Sequence, residues 1–369
     1  MSKLNSINFP KSQNLKFYQT LNARIESYFR ERNLSKHASI GLIVKSAVLM
    51  AAYLGPLAIL AVTQPSFAVS LLLWAVMGAG MAGVGMCIMH DANHGAWSKN
   101  QQINDWVGYS LLLLGGSVET WKMQHNFLHH TFTNVTHYDD DISSKPGLRL
   151  SPHAPLKKAH RSQFLHAIFI YSLMTLYWVT AKDFLQVARY HRTGISKLSP
   201  SQTRLLFLKT LLIKVFYFSI FIGIPLLAGL PPLQVLAGFV LMHLIGGIIL
   251  SVTFQLAHSV EETDYPLPDN AGVLEHDWAV HQLHTTVNFS PKNKFLTWYM
   301  GGLNFQVEHH LFPKISHVHY PKIARIVRDT ASEFNIPYLE HRSFTHALRS
   351  HFNHLKTLGH VPAIDEIMG

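Results

Sequence analysis

At 369 residues the chain is long enough for two soluble domains, but 48% hydrophobic and only 14% charged content falls well short of the roughly 25% charged residues of soluble proteins. A polytopic membrane protein fits these proportions, and the formal net charge of +10 then belongs to basic residues flanking the membrane, with no nucleic-acid partner. The single cysteine, Cys87, lies in an apolar run, which excludes a disulfide framework and any cysteine-based zinc or iron–sulfur site.

Residues 1–39 contain no apolar stretch of signal-peptide type and read as a cytoplasmic N-terminal segment. Four segments then reach the roughly 20 apolar residues that a helix needs to cross a bilayer: 40–62, 67–89, 206–227 and 233–257. The first two are joined by "TQPS" and the last two by "AGLPP", so each pair is a hairpin that returns to the face it left. Neither turn carries Lys or Arg, whereas both ends and the stretch 91–205 do, which places those parts in the cytoplasm. Lys45, Lys209 and Lys214 fall near the cytoplasmic ends of their spans and are expected to snorkel to the interface.

Between the hairpins, 107–118 is too short to cross, as is 295–305 after the last span, and both read as re-entrant or interfacial helices. The apolar stretch 164–180 could span. Spanning would invert the last hairpin and turn His258 away from His90, so it is placed at the interface. The run "GAGMAGVG", Gly78 to Gly85, allows either tight helix packing or room for a ligand chain. Residues 341–369 read as a cytoplasmic tail.

The chain holds 25 histidines, and spacing separates the informative ones. In "HDANH", His90 and His94 are one helical turn apart and face the same way. "HNFLHH" repeats that spacing with His125 and His129 and adds His130, and "QVEHH" puts Gln306, His309 and His310 on one face. With His258 at the end of the fourth span, eight histidines and a glutamine gather at one membrane level. Imidazole suits iron, zinc, copper or nickel, and one ion takes about four to six donors, so eight imidazoles provide for two ions. His243, fifteen residues before His258, lies roughly 22 Å down the helix and cannot reach the same metal; it lines a tunnel or bonds a neighbouring helix. His341, His346, His351 and His354 read as surface residues. His317 and His319, beside Lys322, Arg325 and Arg328, read as a solvated basic face or a contact for an anionic head group.

"HDANH", "HNFLHH" and "QVEHHLFP" resemble the three histidine boxes of the membrane fatty acid desaturase family, and the glutamine opening the third resembles the front-end and linoleoyl-CoA desaturase branch. The resemblance covers residues 40–340, the membrane desaturase domain. It implies an all-α integral membrane fold of four transmembrane helices under a cytoplasmic helical cap, and a di-iron centre with His90, His94, His125, His129, His130, His258, His309 and His310 as ligands. Gln306 stands where some relatives carry a ligand histidine; its carbonyl oxygen binds metal directly, acts through water, or hydrogen-bonds a neighbour. Asp91, Asp141, Glu308 and His284 are expected beside the ligands, with Asp139 and Asp140 equally readable as solvated loop acids and His281 as a contact near the substrate head.

The implied reaction inserts a cis double bond into a fatty acyl chain, as acyl-CoA or acyl-lipid, consuming O₂ and two electrons. "His-Pro-Gly-Gly", the haem motif of a fused cytochrome b5, does not occur, so the expected donor is a separate protein of ferredoxin, rubredoxin or cytochrome b5 type. A bacterial cytoplasmic membrane is favoured over endoplasmic reticulum. The bond position along a uniform acyl chain has to be measured from an anchored head group along a tunnel, which Trp97, Trp121 and Trp298 either bound or flank as interfacial anchors. The rival readings are a di-iron lipid or alkane hydroxylase of the same architecture and, further off, a membrane zinc hydrolase.

Overall fold

A computed structural model describes residues 7–10, 15–142 and 147–362. The first helix, α1 (Leu15–Glu31), buries Phe17, Leu21, Ile25 and Phe29 along one stripe at a spacing of four. Helix α2 (Ile40–Thr63) starts at Ser39, whose Oγ accepts from the Leu42 N–H. It turns back into α3 (Phe67–Asn93), which widens to a π-helical turn over Gly85–Met89 and resumes as α-helix over His90–Asn93. The span therefore does not stop at Met89: the first histidine pair rides on its continuation.

The glycine run explains how α3 sits between two neighbours. A Cβ at Gly80 would lie 2.6 Å from the Tyr53 backbone N of α2, and one at Gly78 would lie 2.6 Å from the Met242 carbonyl of the last span. Only glycine permits that approach. Gly85, at the end of the same run, faces a cavity instead, so packing and ligand space divide the run between them.

Helix α4 (Gln101–Gly108) leads through a 3₁₀ stretch, Tyr109–Leu114, to α5 (Val118–Trp121), which runs on as a π-helical segment, Lys122–His129. The stretch 164–180 is not one straight helix: α6 (Lys158–Ser172) and α7 (Met174–Thr193) meet at 56° and pack against the last span. Helix α8 (Pro200–Leu227) begins six residues before the apolar run, because Ser199 and Gln202 form a capping box with Pro200 in the first turn. Among the described residues, helix α9 (Pro232–His258) completes a set of four helices long and apolar enough to cross a membrane.

Two of the three lysines expected to snorkel do not. With α8 starting at Pro200, Lys214 lies in mid-helix and is 4% exposed. Its Nζ donates to Asp183 Oδ2 at 2.5 Å and to the carbonyls of Gly115 and Trp178, acceptors inside the helix bundle. Lys45 is buried against His317. Lys209 stays half exposed, 3.6 Å from Glu119.

After the last span come α10 (Trp278–Thr285), β1 (Asn288–Phe289), α11 (Lys294–Tyr299), α12 (Gln306–Leu311), α13 (Tyr320–Glu333), β2 (Glu340–His341) and α14 (Phe344–Leu358). The two short strands are parallel, Asn288 opposite Glu340 and Phe289 opposite His341. A second core joins the α1 stripe to Ile323, Val327 and Ala331 of α13 and to Val307 and Leu311 of α12, so the N-terminal helix braces the third histidine box.

The expectation of surface histidines holds for His346, which is exposed, and is overturned for His341 of β2 and for His351 and His354 of α14, which are buried. His351 Nδ1 donates to the Ser259 carbonyl at 2.6 Å while its Nε2 accepts from Tyr171 OH at 2.9 Å, and His354 Nε2 accepts from Tyr265 OH. These imidazoles tie α14 to α6 and to the stretch that follows α9.

Removing one partner of the Lys214–Asp183 pair strands a charge inside the helix bundle, at a cost of about 3–5 kcal/mol. Lys214→Met should therefore lower the thermal midpoint of the detergent-solubilised protein sharply, and adding Asp183→Leu should restore much of the loss. A single variant as stable as the parent would show that the pair does not secure α7 to α8.

Candidate metal centre and its cavity

Four pieces of chain converge on one buried volume. The extended end of α3 brings His90 and His94, the π-helical segment after α5 brings His125 and His129 with His130 next to it, α9 ends on His258, and α12 carries Gln306, His309 and His310. All nine are buried. Two histidine sets have their ligand atoms within 4.8 Å of one another, His90, His94, His125 and His309 in one and His129, His258 and His310 in the other, and a third set, His125, His129 and Asp141, joins them. His130 stands between them, its ring centroid 4.7 Å from that of His94, 4.6 Å from His309 and 4.3 Å from His310.

The donor set fits metal. Nε2 of His94, His129, His130, His258, His309 and His310 is buried with no hydrogen-bond partner among the described residues, and Nε2 of His90 and His125 lie 3.1 Å apart. An unpartnered buried nitrogen costs about 1–3 kcal/mol, and so many at one spot are tolerable when a cation takes their lone pairs. In four of these rings the opposite nitrogen has a partner. His129 Nδ1 donates to Asp139 Oδ2 at 3.0 Å, His258 Nδ1 to the Thr285 carbonyl at 3.3 Å and His310 Nδ1 to Gln282 Oε1 at 2.8 Å, while His309 Nδ1 is 3.1 Å from Tyr320 OH. The acceptors Asp139, the Thr285 carbonyl and Gln282 Oε1 fix, on His129, His258 and His310, the tautomer that leaves Nε2 free as a ligand.

Burial, followed by the charge of neighbouring imidazoles, holds His125, His130, His309 and His310 well below the usual histidine range. They are neutral at pH 7, the form that binds metal. His129 is the exception. Burial pulls it down, but the Asp139 carboxylate and its hydrogen bond, then Asp141, raise it above the ordinary value.

The acids divide by role. Asp139, readable from sequence as a solvated loop residue, is fully buried on His129. Asp141 lies 3.7 Å from the same Nδ1 and accepts from Gln124. Asp140 instead binds Arg189 and Tyr190. Asp91 accepts from Ser316 Oγ at 2.9 Å and His317 Nδ1 at 2.8 Å, so it anchors the loop after the third box and bonds no ligand imidazole. His317 is accordingly buried and not part of a solvated face. Glu308 accepts from Asn288 and Tyr338, and burial pushes its carboxyl up to about 7. His284 stays outside the cluster, bonded to Asp264 and stacked on His276, and His281 Nε2 donates to the Thr133 carbonyl. Gln282, lying between these two histidines in sequence, is the residue of "HQLH" that reaches a ligand, and no spacing signal singled it out.

A cavity of about 180 Å³, lined mostly by apolar side chains, opens beside the first group: His90, His125, His309 and Gln306 share its wall with Trp121, Phe254 and Trp178. Trp97 is half-buried against the main core and Trp298 lines a different pocket, so Trp121 alone of the three flagged tryptophans bounds this space. Thr175 also lines it; its hydroxyl is 3.0 Å from His243 Nδ1, whose Nε2 accepts from Tyr217 OH. His243 thus bridges two neighbouring helices, as one of its two sequence readings had it.

Four membrane-length helices carrying a buried histidine cluster suited to metal beside a mostly apolar cavity define a membrane protein with a candidate metal centre built from histidine. Residues 65–342 match the family model for fatty acid desaturases. The chain is 34% identical over 97% of its length to the sn-1 linoleoyl-lipid 6-desaturase of Arthrospira platensis, covering 96% of that protein. It is 32% identical over 93% of its length to the enzyme of the same name from Synechocystis, covering 95% of it, and 35% identical over 96% of its length to an acyl-lipid (8-3)-desaturase of Physcomitrium patens, covering 74% of it. The chain belongs to the fatty acid desaturase family and is an oxidoreductase of fatty acyl chains.

Loss of an orienting carboxylate typically lowers metal affinity 10–100-fold. Asp139→Asn should reduce the metal retained on purification, measured by plasma mass spectrometry, and His129→Ala should reduce it further, whereas His284→Gln should retain the parental amount. Full metal content in His129→Ala would remove that residue from the ligand set.

Proposed function

We propose that the chain is a front-end acyl-lipid desaturase that holds two irons, takes O₂ as co-substrate and works at the cytoplasmic face of a bacterial membrane. The division of the buried nitrogens into two groups carries the reading: one group per ion, with His130 between them. Lipid-linked acyl chains are favoured over acyl-CoA because the two cyanobacterial relatives, matched over nearly their whole length, are named for lipid substrates. Absence of Lys and Arg from both hairpin turns supports the cytoplasmic placement of the site.

Bound in this donor set, a pair of irons supplies the activation of dioxygen that breaking an unactivated C–H bond requires and that side chains cannot provide. The residues do the rest. Met86, Met89, Leu303 and Phe254 of the cavity wall exclude water along the acyl chain, and His90, His125 and His309 border the segment to be oxidised. Asp139, Gln282 and the Thr285 carbonyl keep His129, His310 and His258 in the ligating orientation. Two hydrogens leave adjacent carbons, O₂ becomes two waters, and two electrons with two protons arrive from outside, the electrons from a separate carrier of ferredoxin, rubredoxin or cytochrome b5 type.

Expression in a host that lacks polyunsaturated fatty acids, with saturated, oleic and linoleic acids fed separately, tests this reading. The expected product carries a new cis bond between the carboxyl end and the existing double bond, located by mass spectrometry. Hydroxylated acids without new alkenes, or a new bond only on the methyl side, would contradict it.

A further inference from the structure

A second pocket, of about 730 Å³, lies where α2 begins and where α11 and the loop leading to α13 meet it. It shares no lining residue with the acyl cavity. Three lysines, Lys45, Lys292 and Lys294, line it together with His317, Trp298 and Gly41, and no carboxylate does. Lys292 and Lys294 are exposed at its rim and make no ion pair among the described residues.

Lys45 is the informative member. It sits about one turn inside α2 and is only 5% exposed, yet no carboxylate of the described residues lies within ion-pair distance. Its Nζ is 3.1 Å from His317 Nε2 and 5.4 Å from the centroid of the Trp298 ring. Since His317 Nδ1 donates to Asp91, Nε2 carries the lone pair and takes one ammonium hydrogen, leaving further N–H donors on a lysine that lines the pocket. A buried ammonium with a neutral acceptor as its polar partner is the arrangement that calls for an anion, because buried charges are paired. Gly41 adds space: a Cβ there would meet only Ser39 Oγ, at 3.6 Å.

The surroundings decide which anion. Ile40, Ile43, Val44 and Val48 of α2 and Phe295 of α11 are exposed apolar side chains around the same level, as expected for a surface that meets acyl chains. A compact anion at that depth is delivered by a lipid. The geometry points to a binding site for the phosphate of an anionic phospholipid head group, held by Lys45 from below and by Lys292 and Lys294 at the rim, with its acyl chains running down the exposed face of α2. This lipid is a resident of the protein, separate from the acyl chain in the cavity beside the histidines. Its site is nonetheless tied to them, through His317 and Asp91, to the helical turn that carries His90. Basic pockets at membrane interfaces bind phosphate head groups in this way.

Native mass spectrometry of the detergent-solubilised full chain, titrated with didecanoyl phosphatidylglycerol, didecanoyl phosphatidylcholine or inorganic phosphate, tests the site. The parent should retain one phosphatidylglycerol at least tenfold more tightly than phosphatidylcholine, with inorganic phosphate failing to compete. Lys45→Met should abolish that preference, Lys45→Arg should keep it, and Lys209→Met, a span lysine outside the pocket, should leave it unchanged. The surface double variant Lys292→Gln, Lys294→Gln, which removes no buried contact, should weaken retention at least threefold and decides the matter if Lys45→Met does not fold. Undiminished phosphatidylglycerol retention in the double variant or in a folded Lys45→Met, or displacement by inorganic phosphate at equal concentration, would overturn the assignment.

Discussion

Eight imidazoles packed side by side away from water are sustainable under two conditions: they stay neutral, and their lone pairs find an acceptor of electrons. Charging even two of them would place like charges a few ångströms apart in a medium that screens poorly. Burial meets the first condition for His125, His130, His309 and His310, while hydrogen bonds from the far nitrogens to Asp139, Gln282 and the Thr285 carbonyl orient His129, His310 and His258. A metal ion bound there would meet the second. The architecture around the cluster follows from the need to hold both conditions at once.

That need explains features that look local in isolation. The π-helical turns before His90 and through His125 widen the helix, re-aim the side chains that follow and are found mostly at functional sites. The glycines of α3 let it approach α2 and α9 closely enough for its histidines to meet His258 and the third box. The Lys214–Asp183 pair holds α7 against α8 and fixes Trp178, whose indole N–H donates to Asp183 and whose ring borders the acyl cavity. The α1 stripe supports α12 and α13 from the other side. A rigid frame of this kind lets a mostly apolar cavity present a fixed segment of chain to the centre.

Much of the centre was legible in the linear order of residues because a helix repeats every 3.6 positions, so pairs four apart announce a shared face. The two hairpins and their uncharged turns were legible for a similar reason, since hydropathy and charge act over windows longer than local variation. The orienting partners were not. Gln282, Thr285 and Tyr320 reach the ligands from segments with no periodic relation to the boxes, and Asp139 was indistinguishable from Asp140 until its bond to His129 set it apart. The lysines misled because snorkelling was inferred from distance to the span's end, while Lys45 and Lys214 found partners inside the protein. On α14 the histidines looked irregular and hence superficial, yet His351 and His354 bond groups grouped around Ser259 and Tyr265 at the end of α9.

The claim with most depending on it is that the two nitrogen groups hold one iron each. Mössbauer spectroscopy of the protein purified without oxygen after growth on iron-57, with protein-normalised iron analysis on the same sample, addresses it directly. Two irons per chain in distinct nitrogen-rich environments are the predicted result; a single iron site at full occupancy, or zinc filling both groups in active enzyme, would contradict it.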